Sequence, residues 1–216
     1  MKKAWKCCSA LMLALVLFLA SGCNPNYRPE FEYGDFICRE WIEGKIYITD
    51  LSEQGKQKRV LIVPEEVNGK PVVTIRNPAK WGGTEWKSDN LEKLYLPWNM
   101  SVDEVTTLYC DNLKAVFVIS FKEKRGIYLY PTNIYYSRYV YMSMLEKGWN
   151  LDYERPANIT YYYNDGRTEN YGCYWLDNVP YGSLVDVIPE SPVSEGKTFA
   201  GWYKEPECIN VWDFET

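Results

Sequence analysis

Residues that commonly carry catalysis are scarce in this chain, and their spacing assembles no familiar site. The sequence contains 0 histidines, which removes Ser-His and Cys-His nucleophilic mechanisms and histidine metal sites. The adjacent acids Glu65-Glu66 and Asp103-Glu104 have the chemistry of a glycosidase acid and base, but neighbouring acids on short turns are usually solvated charges. No P-loop, GxSxG motif or EF-hand loop is present. We therefore expect a protein that is not an enzyme and that uses no metal and no cofactor.

The N-terminus has the pattern of an export signal. Three lysines among the first six residues precede an apolar run, Ala10–Ala20, that is short for a membrane-spanning helix. The ending LASGC, Leu19–Cys23, resembles a bacterial lipobox, although Ala20 stands where that family prefers Leu. The resemblance implies that residues 1–22 are a lipoprotein signal peptide and that Cys23 carries lipid. The alternatives are a plain secretory signal cut nearby and an uncleaved anchor.

The net charge argues against nucleic acid as a partner. Removing residues 1–22 takes away three lysines and no acid, so the formal charge changes from −5 to −8. An acidic chain without a basic stripe cannot release phosphate counterions, so we expect no nucleic-acid partner.

Residues 23–30, with two prolines, predict a tether between the lipid and the folded part. We expect the protein on the outer face of a membrane, attached by its N-terminal lipid.

Of the 7 cysteines, three lie in or directly after the signal. Export permits disulfides, and four remaining cysteines allow three connectivities. Isolated cysteines are also often buried as small hydrophobic residues. Both possibilities stay open for Cys38, Cys110, Cys173 and Cys208.

The first half of the chain predicts short β-strands. Brief apolar segments alternate with Gly, Pro, Asn and Asp, and helical periodicity is absent there. The predicted strands are Lys45–Thr49, Arg59–Val63, Val72–Ile75, Leu94–Leu96 and Ala115–Ile119.

Three of these segments repeat a pattern. RVLIVPEEV, LEKLYLPWN and LKAVFVISF each place alternating apolar residues before Pro or Ser, with steps of 22 residues from Leu91 to Leu113 and 33 from Pro64 to Pro97. Such a period is typical of a solenoid. With LYCDNLKAVFV, Leu108–Val118, the segment resembles the BspA-like leucine-rich repeat. That resemblance implies a parallel β-sheet with Cys110 and Leu113 in the core.

A dense aromatic run, Tyr128–Tyr141, follows the repeats. After it, several residues fall at helical spacing, and Gly148 is a plausible helix stop. One interpretation is a short helix that caps the repeats, and the other is an exposed tyrosine platform for a sugar or peptide. The residues at helical spacing are Tyr136, Tyr139, Val140, Ser143 and Met144.

A different pattern starts after Pro156. ITYYYNDGRTENYG predicts a hairpin with a turn at Asn164-Asp165-Gly166, because these residue types tolerate positive φ. Further strands are predicted at Leu184–Ile188 and from Thr198.

The final stretch, GKTFAGWYKEPECINVWDFET, resembles the internalin-type B repeat, also called the Listeria-Bacteroides repeat. The resemblance covers residues 157–216 and implies a small β-grasp-like module. It implies that four aromatic side chains form the core of this module. These are Phe199, Trp202, Trp212 and Phe214.

The loop Asn170–Asn178 is longer and more aromatic than the B-repeat norm. It is interpreted either as a recognition tip or as a hairpin whose Tyr174 and Trp175 fold back on the sheet. With the aromatic run before it, this loop supplies the candidate ligand-binding residues, since Tyr and Trp give large contact area with little rotamer entropy to lose. The candidates are Tyr128, Tyr130, Tyr136, Tyr174 and Trp175.

Together these patterns predict a mainly β protein: a short, leucine-rich-repeat-like parallel β-solenoid followed by a β-grasp-like B-repeat module. The expected divisions are a signal peptide (1–22), a tether (23–30), a repeat domain with caps (31–150) and a B repeat (157–216). The expected function is a lipid-anchored surface protein that binds or adheres to an extracellular protein or glycan. The alternatives are a structural spacer or display module without a ligand, and an enzyme, which would need a pocket with coupled carboxylates.

Overall fold

The computed structural model describes residues 28–75, 84–97, 100, 106–119 and 133–215. The protein is mainly β, as predicted, with 36% strand and one α-helix in the part described. The elements are β1 (Glu30–Tyr33), β2 (Phe36–Glu40), β3 (Ile46–Leu51), β4 (Val60–Ile62), β5 (Glu66–Val67), β6 (Lys70–Ile75), β7 (Thr84–Lys87), β8 (Lys93–Leu96), β9 (Thr106–Tyr109), β10 (Ala115–Val118), β11 (Asn133–Tyr136), α1 (Arg138–Glu146), β12 (Glu154–Pro156), β13 (Ile159–Tyr162) and β14 (Cys173–Asp177).

A mixed five-stranded sheet begins the described chain, in the order β1-β2-β3-β6-β5. β1, β2 and β3 form an antiparallel meander, and β6 then joins β3 in parallel. Gly34, with φ of +55°, allows the tight turn between β1 and β2. Alternate residues such as Phe36, Cys38, Ile46 and Ile48 are buried on one face, as the period of two in a strand requires.

The second five-stranded sheet is parallel throughout, in the order β12-β11-β10-β8-β4. Its register follows the spacings in the sequence, because Lys93 pairs with Val60, 33 positions earlier, and with Ala115, 22 positions later. β7 and β9 form a separate parallel pair in which Trp86 aligns with Leu108, also 22 positions later. After 33 and then 22 residues, the chain therefore forms the next strand beside the previous one, in matching register.

Both faces of the parallel sheet are covered. Leu94, Leu96, Val116 and Val118 point into a first core that they share with the mixed sheet. The alternate residues of the same strands point into a second core, which includes residues of β13 and β14. Strands buried on both faces read as continuous apolar runs, which explains LYL and AVFV in β8 and β10. The residues of β8 and β10 in the second core are Tyr95, Ala115 and Phe117.

α1 begins after Ser137, whose hydroxyl accepts a hydrogen bond from the amide of Val140. Val140 and Met144 are buried, in agreement with the helical spacing in the sequence. The prediction was wrong for Tyr136, which lies in β11 between Val118 and Pro156 of the neighbouring strands. Since the N-cap residue has non-helical backbone angles, the helix cannot extend back to Tyr136.

The C-terminal region contains one antiparallel hairpin, β13 with β14. Asn164 (φ +52°) and Gly166 (φ +89°) lie in its connection, where the sequence predicts the turn. Beyond Asp177, the described residues contain only an isolated antiparallel bridge between Tyr203 and Val211. The strands predicted at Leu184–Ile188 and from Thr198 are therefore not formed. Local alternation indicated those strands, but a strand also needs a neighbour, and prolines interrupt this region.

Candidate ligand-binding cleft and the interface beside it

Three aromatic rings form a column across the parallel sheet. Tyr95, Phe117 and Tyr135 are aligned by the strand register. Tyr95 and Phe117 stack with ring centroids 4.5 Å apart, and Phe117 and Tyr135 stack at 5.3 Å. These separations are close to the spacing between neighbouring strands. The column therefore forms a flat aromatic surface on the outer face of the sheet.

Trp175 of β14 covers one end of this column. Its ring stacks on Tyr95 at 4.3 Å with an interplanar angle of 16°, and the side chain is only 8% exposed. The expectation of an exposed recognition tip is corrected here, because Trp175 packs into the second core. The alternative interpretation, a hairpin folded back on a sheet, describes this arrangement.

Polar groups border the aromatic contact. The Lys93 ammonium lies 2.7 Å from Oδ1 of Asp186 and 3.4 Å from Oδ1 of Asp177. The Tyr95 hydroxyl donates to the same Asp177 oxygen at 3.4 Å. Asp177 is fully buried, and burial raises the pKa of its carboxyl, while the nearby Lys93 charge opposes that rise. The parallel sheet and the C-terminal region are thus joined by a lysine that lies between Asp177 of β14 and Asp186 of the following segment.

Further hydrogen bonds close the same interface. Nδ2 of Asn178 donates to the Tyr135 hydroxyl at 3.2 Å. Within the C-terminal region, Asn158 exchanges two hydrogen bonds with the backbone of Val179, at 2.7 and 3.1 Å, which fix the chain on either side of the hairpin. The aromatic column on the outer face of the parallel sheet is consequently covered at the Tyr95 end by the chain's own C-terminal region.

A separate cleft of about 970 Å³ lies in the C-terminal region itself. The run Ile159–Thr168 forms one wall, and Lys197–Pro206 forms the other. Aromatic side chains from both walls contribute to the lining, together with Trp212 of the final segment. A concave, largely apolar space with a few polar groups is the usual form of a ligand site.

An ion pair shapes one wall of the cleft. Arg167 donates to both carboxylate oxygens of Asp165, with Nε at 2.9 Å from each. This bidentate contact, with further hydrogen bonds from the Arg167 amide and Ser194, holds the pKa of Asp165 well below its usual range. The guanidinium also lies 3.4 Å from the centroid of the Tyr163 ring. The wall is thus held by stacking and charge together.

Charges on the opposite wall have different partners. Nζ of Lys197 donates to the backbone carbonyl of Asp165 at 2.5 Å, which links the two walls at one end. Oε1 of Glu205 accepts hydrogen bonds from the amides of Ile209 and Asn210 at 2.9 and 2.6 Å. Both carboxylates that line the cleft are therefore occupied by contacts within the protein.

The other predicted binding residues that the structure describes, Tyr136 and Tyr174, lie in different parts of the fold. Tyr136 is half-buried against the first core, and burial raises the pKa of its hydroxyl. Tyr174 is half-buried, stacks on Trp202 at 5.6 Å and donates its hydroxyl to the carbonyl of Glu190 at 2.9 Å. Tyr128 and Tyr130 lie outside the described residues, as does the predicted lipidation site, Cys23. The two tyrosines in the described part are thus not brought together in one site.

The predicted core residues divide into two groups. Cys110 and Leu113 are buried in the first core. The four C-terminal aromatic residues are only half-buried. They form a connected set of rings, with Phe199–Trp202 at 5.0 Å, Trp212–Phe214 at 6.1 Å, and Tyr161 in contact with Trp202, Trp212 and Phe214.

Sequence reasoning missed the residues that join the two regions, namely Lys93, Tyr95, Phe117 and Asp177. A signal for two of them was present, because Tyr95 and Phe117 are separated by the same 22 positions as the repeat step. Aromatic residues recurring at the repeat period mark a column on one face of a parallel sheet. No comparable signal exists for Asp177, because its partners are far away in sequence.

All four described cysteines are free. Cys38, Cys110 and Cys173 are buried, and burial raises the pKa of both Cys38 and Cys173 to about 12. Cys208 is exposed. The buried thiols therefore act as small apolar side chains.

Comparison with known families identifies the C-terminal region. Residues 158–216 match the model of the Listeria-Bacteroides repeat domain, which confirms the predicted resemblance for this part of the chain. Neither curated proteins nor solved structures gave a match to the chain. Within the described ranges, no helix has the length and apolarity needed to cross a membrane.

Proposed function

We propose that this chain is a non-catalytic surface protein that binds or adheres to an extracellular protein or glycan. The observation that carries this proposal is the aromatic cleft of about 970 Å³ in the C-terminal region. The match to a Listeria-Bacteroides repeat domain agrees with a surface-associated location. The cleft, rather than the outer face of the parallel sheet, is the proposed ligand site, because the aromatic column on that face is already covered at the Tyr95 end.

The proposed attachment is a lipid on Cys23. It is supported by the LASGC segment directly after a short apolar run. Two or three acyl chains contribute about 0.8 kcal/mol per buried CH₂, enough for durable attachment. Cys23→Ser is expected to release the protein from the membrane to the medium. Unchanged membrane partitioning of this variant would contradict lipid attachment.

We further propose that the parallel sheet is a short solenoid of BspA-like leucine-rich repeats and that the C-terminal region is β-grasp-like. Support for the first comes from the strand register, which repeats at 22 and 33 positions. Support for the second comes from the matched repeat family and from the antiparallel hairpin of β13 and β14.

A binding role is preferred over an enzyme for chemical reasons. The sequence has no histidine, and the two cleft carboxylates, Asp165 and Glu205, already accept hydrogen bonds from Arg167 and from backbone amides. Asp165 is a weak general base, since its contacts lower the pKa of its carboxyl. Recognition needs no such group.

The test is a binding experiment on the chain from residue 24 to 216. Glycan and host-protein arrays are probed with this protein, and any hit is measured again with Tyr163→Ala, which removes a cleft ring. Tyr181→Ala is the matched control, because Tyr181 is fully exposed in the same region and outside this cleft. Loss of a binding hot spot costs about 2 kcal/mol, or roughly thirtyfold in affinity. Equal affinity of both variants would remove the cleft from the proposed function.

A structural spacer is the second candidate. It is favoured by the stacking of Trp175 on Tyr95, since that contact uses an aromatic surface to join two parts of one chain. Absence of any array hit, with normal folding of the protein, would place the spacer ahead.

A further inference from the structure

The cleft runs along the free edge of a strand. β13 has β14 as its single partner in the sheets of the described chain. Every residue of β13 lines the cleft, including those on both faces of the strand. Because successive side chains point to opposite faces, continuous lining means that the backbone edge itself faces the cleft. Backbone donors and acceptors along such an edge are a template for another strand.

The aromatic lining suits the side chains of an extended peptide. The rings that line it include Tyr163 on one wall and Phe199 and Trp202 on the other. In strand addition, backbone hydrogen bonds give affinity, and pockets take every second side chain. A strand placed beside β13 would present alternate side chains to these rings.

The charges of the cleft are unbalanced after internal pairing. Asp165 pairs with Arg167, while Glu205 keeps its negative charge and accepts hydrogen bonds from backbone amides. Lys197 and Lys204 remain, and neither forms an ion pair with a carboxylate in the described part of the chain. The charged lining residues are three cations, Arg167, Lys197 and Lys204, and two carboxylates, so their formal charge is 3 − 2 = +1, although the whole chain has a formal charge of −5.

We propose that the cleft binds an extended, acidic peptide segment, which adds to the free edge of β13 as a third strand. This inference rests on the proposed function, because it names the ligand class of the same cleft. A peptide is favoured over a glycan because an unpaired strand edge recognises a peptide backbone. The two lysines favour Asp or Glu over basic residues in the ligand, by charge complementarity.

The first experiment varies the ligand. A labelled nine-residue peptide of alternating valine and glutamate is titrated by fluorescence polarisation with the chain from residue 24 to 216, which keeps every residue that the structure describes. We expect saturable binding that weakens with salt, and at least tenfold weaker binding when lysine replaces glutamate. Equal binding of the acidic and basic peptides would overturn the proposal.

N-methylated peptides test strand addition without changing the protein. Amides of alternate residues in a strand point to opposite edges. Methylation of one alternate set blocks the edge that meets β13, and methylation of the other set leaves it free. We expect at least a tenfold loss of affinity with one set and less than a threefold change with the other. Equal effects of the two sets would overturn strand addition.

The protein variants test the charge. Lys204→Glu is expected to weaken binding of the acidic peptide at least fivefold, and Lys197→Glu with Lys204→Glu at least tenfold. The matched control is Lys58→Glu with Lys87→Glu, which changes the total charge equally at exposed sites away from the cleft. Because Lys197 links the two walls, the folding of the double variant is checked by thermal melting followed by circular dichroism. If the double variant is unfolded, the affinity of Lys204→Glu alone serves as the test. Equal affinities for Lys204→Glu and the control would overturn the role of charge.

The proposal and the proposed function fail separately. An array glycan whose binding is lost in Tyr163→Ala, together with no binding of the acidic peptide, would overturn the peptide and keep the cleft as the binding site. Absence of any ligand that depends on Tyr163 would overturn both.

Discussion

The two faces of the parallel sheet differ in composition and in what covers them. The inner face carries aliphatic residues such as Leu94 and Val116, which pack with the mixed sheet in the first core. The outer face carries the stacked rings of Tyr95 and Phe117, which meet Trp175 in the second core. Aliphatic residues interdigitate and fill space, whereas tyrosine rings stack flat and keep a polar end for hydrogen bonds.

This difference indicates that the first core holds one folding unit together and the second joins two units. Polar groups such as Lys93, Asp177 and Asn178 border the aromatic face, as is usual at interfaces between domains. We therefore expect an asymmetry. The sheet should persist without the C-terminal region, while the C-terminal region should depend on the sheet.

The largest effect is expected for Trp175→Ala. Truncation of a buried aromatic side chain typically costs about 3–5 kcal/mol, and here it removes the ring stacking on Tyr95 that joins the two regions. Limited proteolysis should then cleave within residues 178–215 while the parallel sheet stays protected. Tyr181→Ala, at a fully exposed position of the C-terminal region, is the control and should behave like the wild type. Simultaneous loss of both regions would contradict the asymmetry.

Leu94→Ala tests whether the C-terminal region depends on the parallel sheet. Leu94 is fully buried in the first core, and its truncation should lower the free energy of unfolding by about 3 kcal/mol. Because the C-terminal region packs on the same strands, both regions should lose stability together. Denaturant unfolding followed by tryptophan fluorescence and by far-ultraviolet circular dichroism should give coincident transitions, shifted to lower denaturant. A selective loss of the C-terminal region would show that the first core does not hold the sheet.

The sequence predicted the strands of the sheet better than the contacts between the regions. β4, β8 and β10 were predicted because each is an apolar run between turn residues. β11 (NIYY) and β12 (ERP) were missed because they lack aliphatic alternation and gain stability from their neighbours in the parallel sheet. The strand predicted at Leu184–Ile188 shows the opposite error, since its local alternation has no partner strand.

The candidate sites follow the same division. The sequence identified Tyr174 and Trp175 as unusual, but it could not show that Trp175 packs on Tyr95, because the two residues are distant in the chain. The cleft was not predicted, because its walls come from segments about forty positions apart. Family resemblance identified the aromatic residues of the final segment, and the structure shows that several of them line the cleft.

A smaller effect is expected for Lys93→Met. The change leaves the buried Asp177 carboxylate without its cation, at a cost of about 2 kcal/mol at pH 7. The pKa of Asp177 is raised in the folded protein, so the folded state binds this proton more tightly than the unfolded state. The loss of stability caused by Lys93→Met should therefore be largest at pH values above the pKa of Asp177 in the folded state. It should shrink as the pH falls through that pKa.

Melting of the wild type and Lys93→Met from pH 7 to pH 4 measures this dependence. Lys93→Met with Asp177→Asn is the matched control, because it removes the titrating group as well. The difference in melting temperature between Lys93→Met and the double variant should disappear at low pH. A constant difference over the whole range would show that Asp177 does not titrate at the interface.

The smallest effect is expected for Tyr174→Phe. The hydroxyl of Tyr174 donates to the carbonyl of Glu190 at 2.9 Å, while the ring stacks on Trp202. Phenylalanine keeps the stacking and loses the hydrogen bond, which is partly solvated, so the cost should be about 1 kcal/mol or less. Tyr181→Phe, at a fully exposed tyrosine, controls for the loss of a hydroxyl. If Tyr174→Phe destabilised the protein as strongly as Trp175→Ala, the segment at Glu190 would belong to the interface rather than to its border.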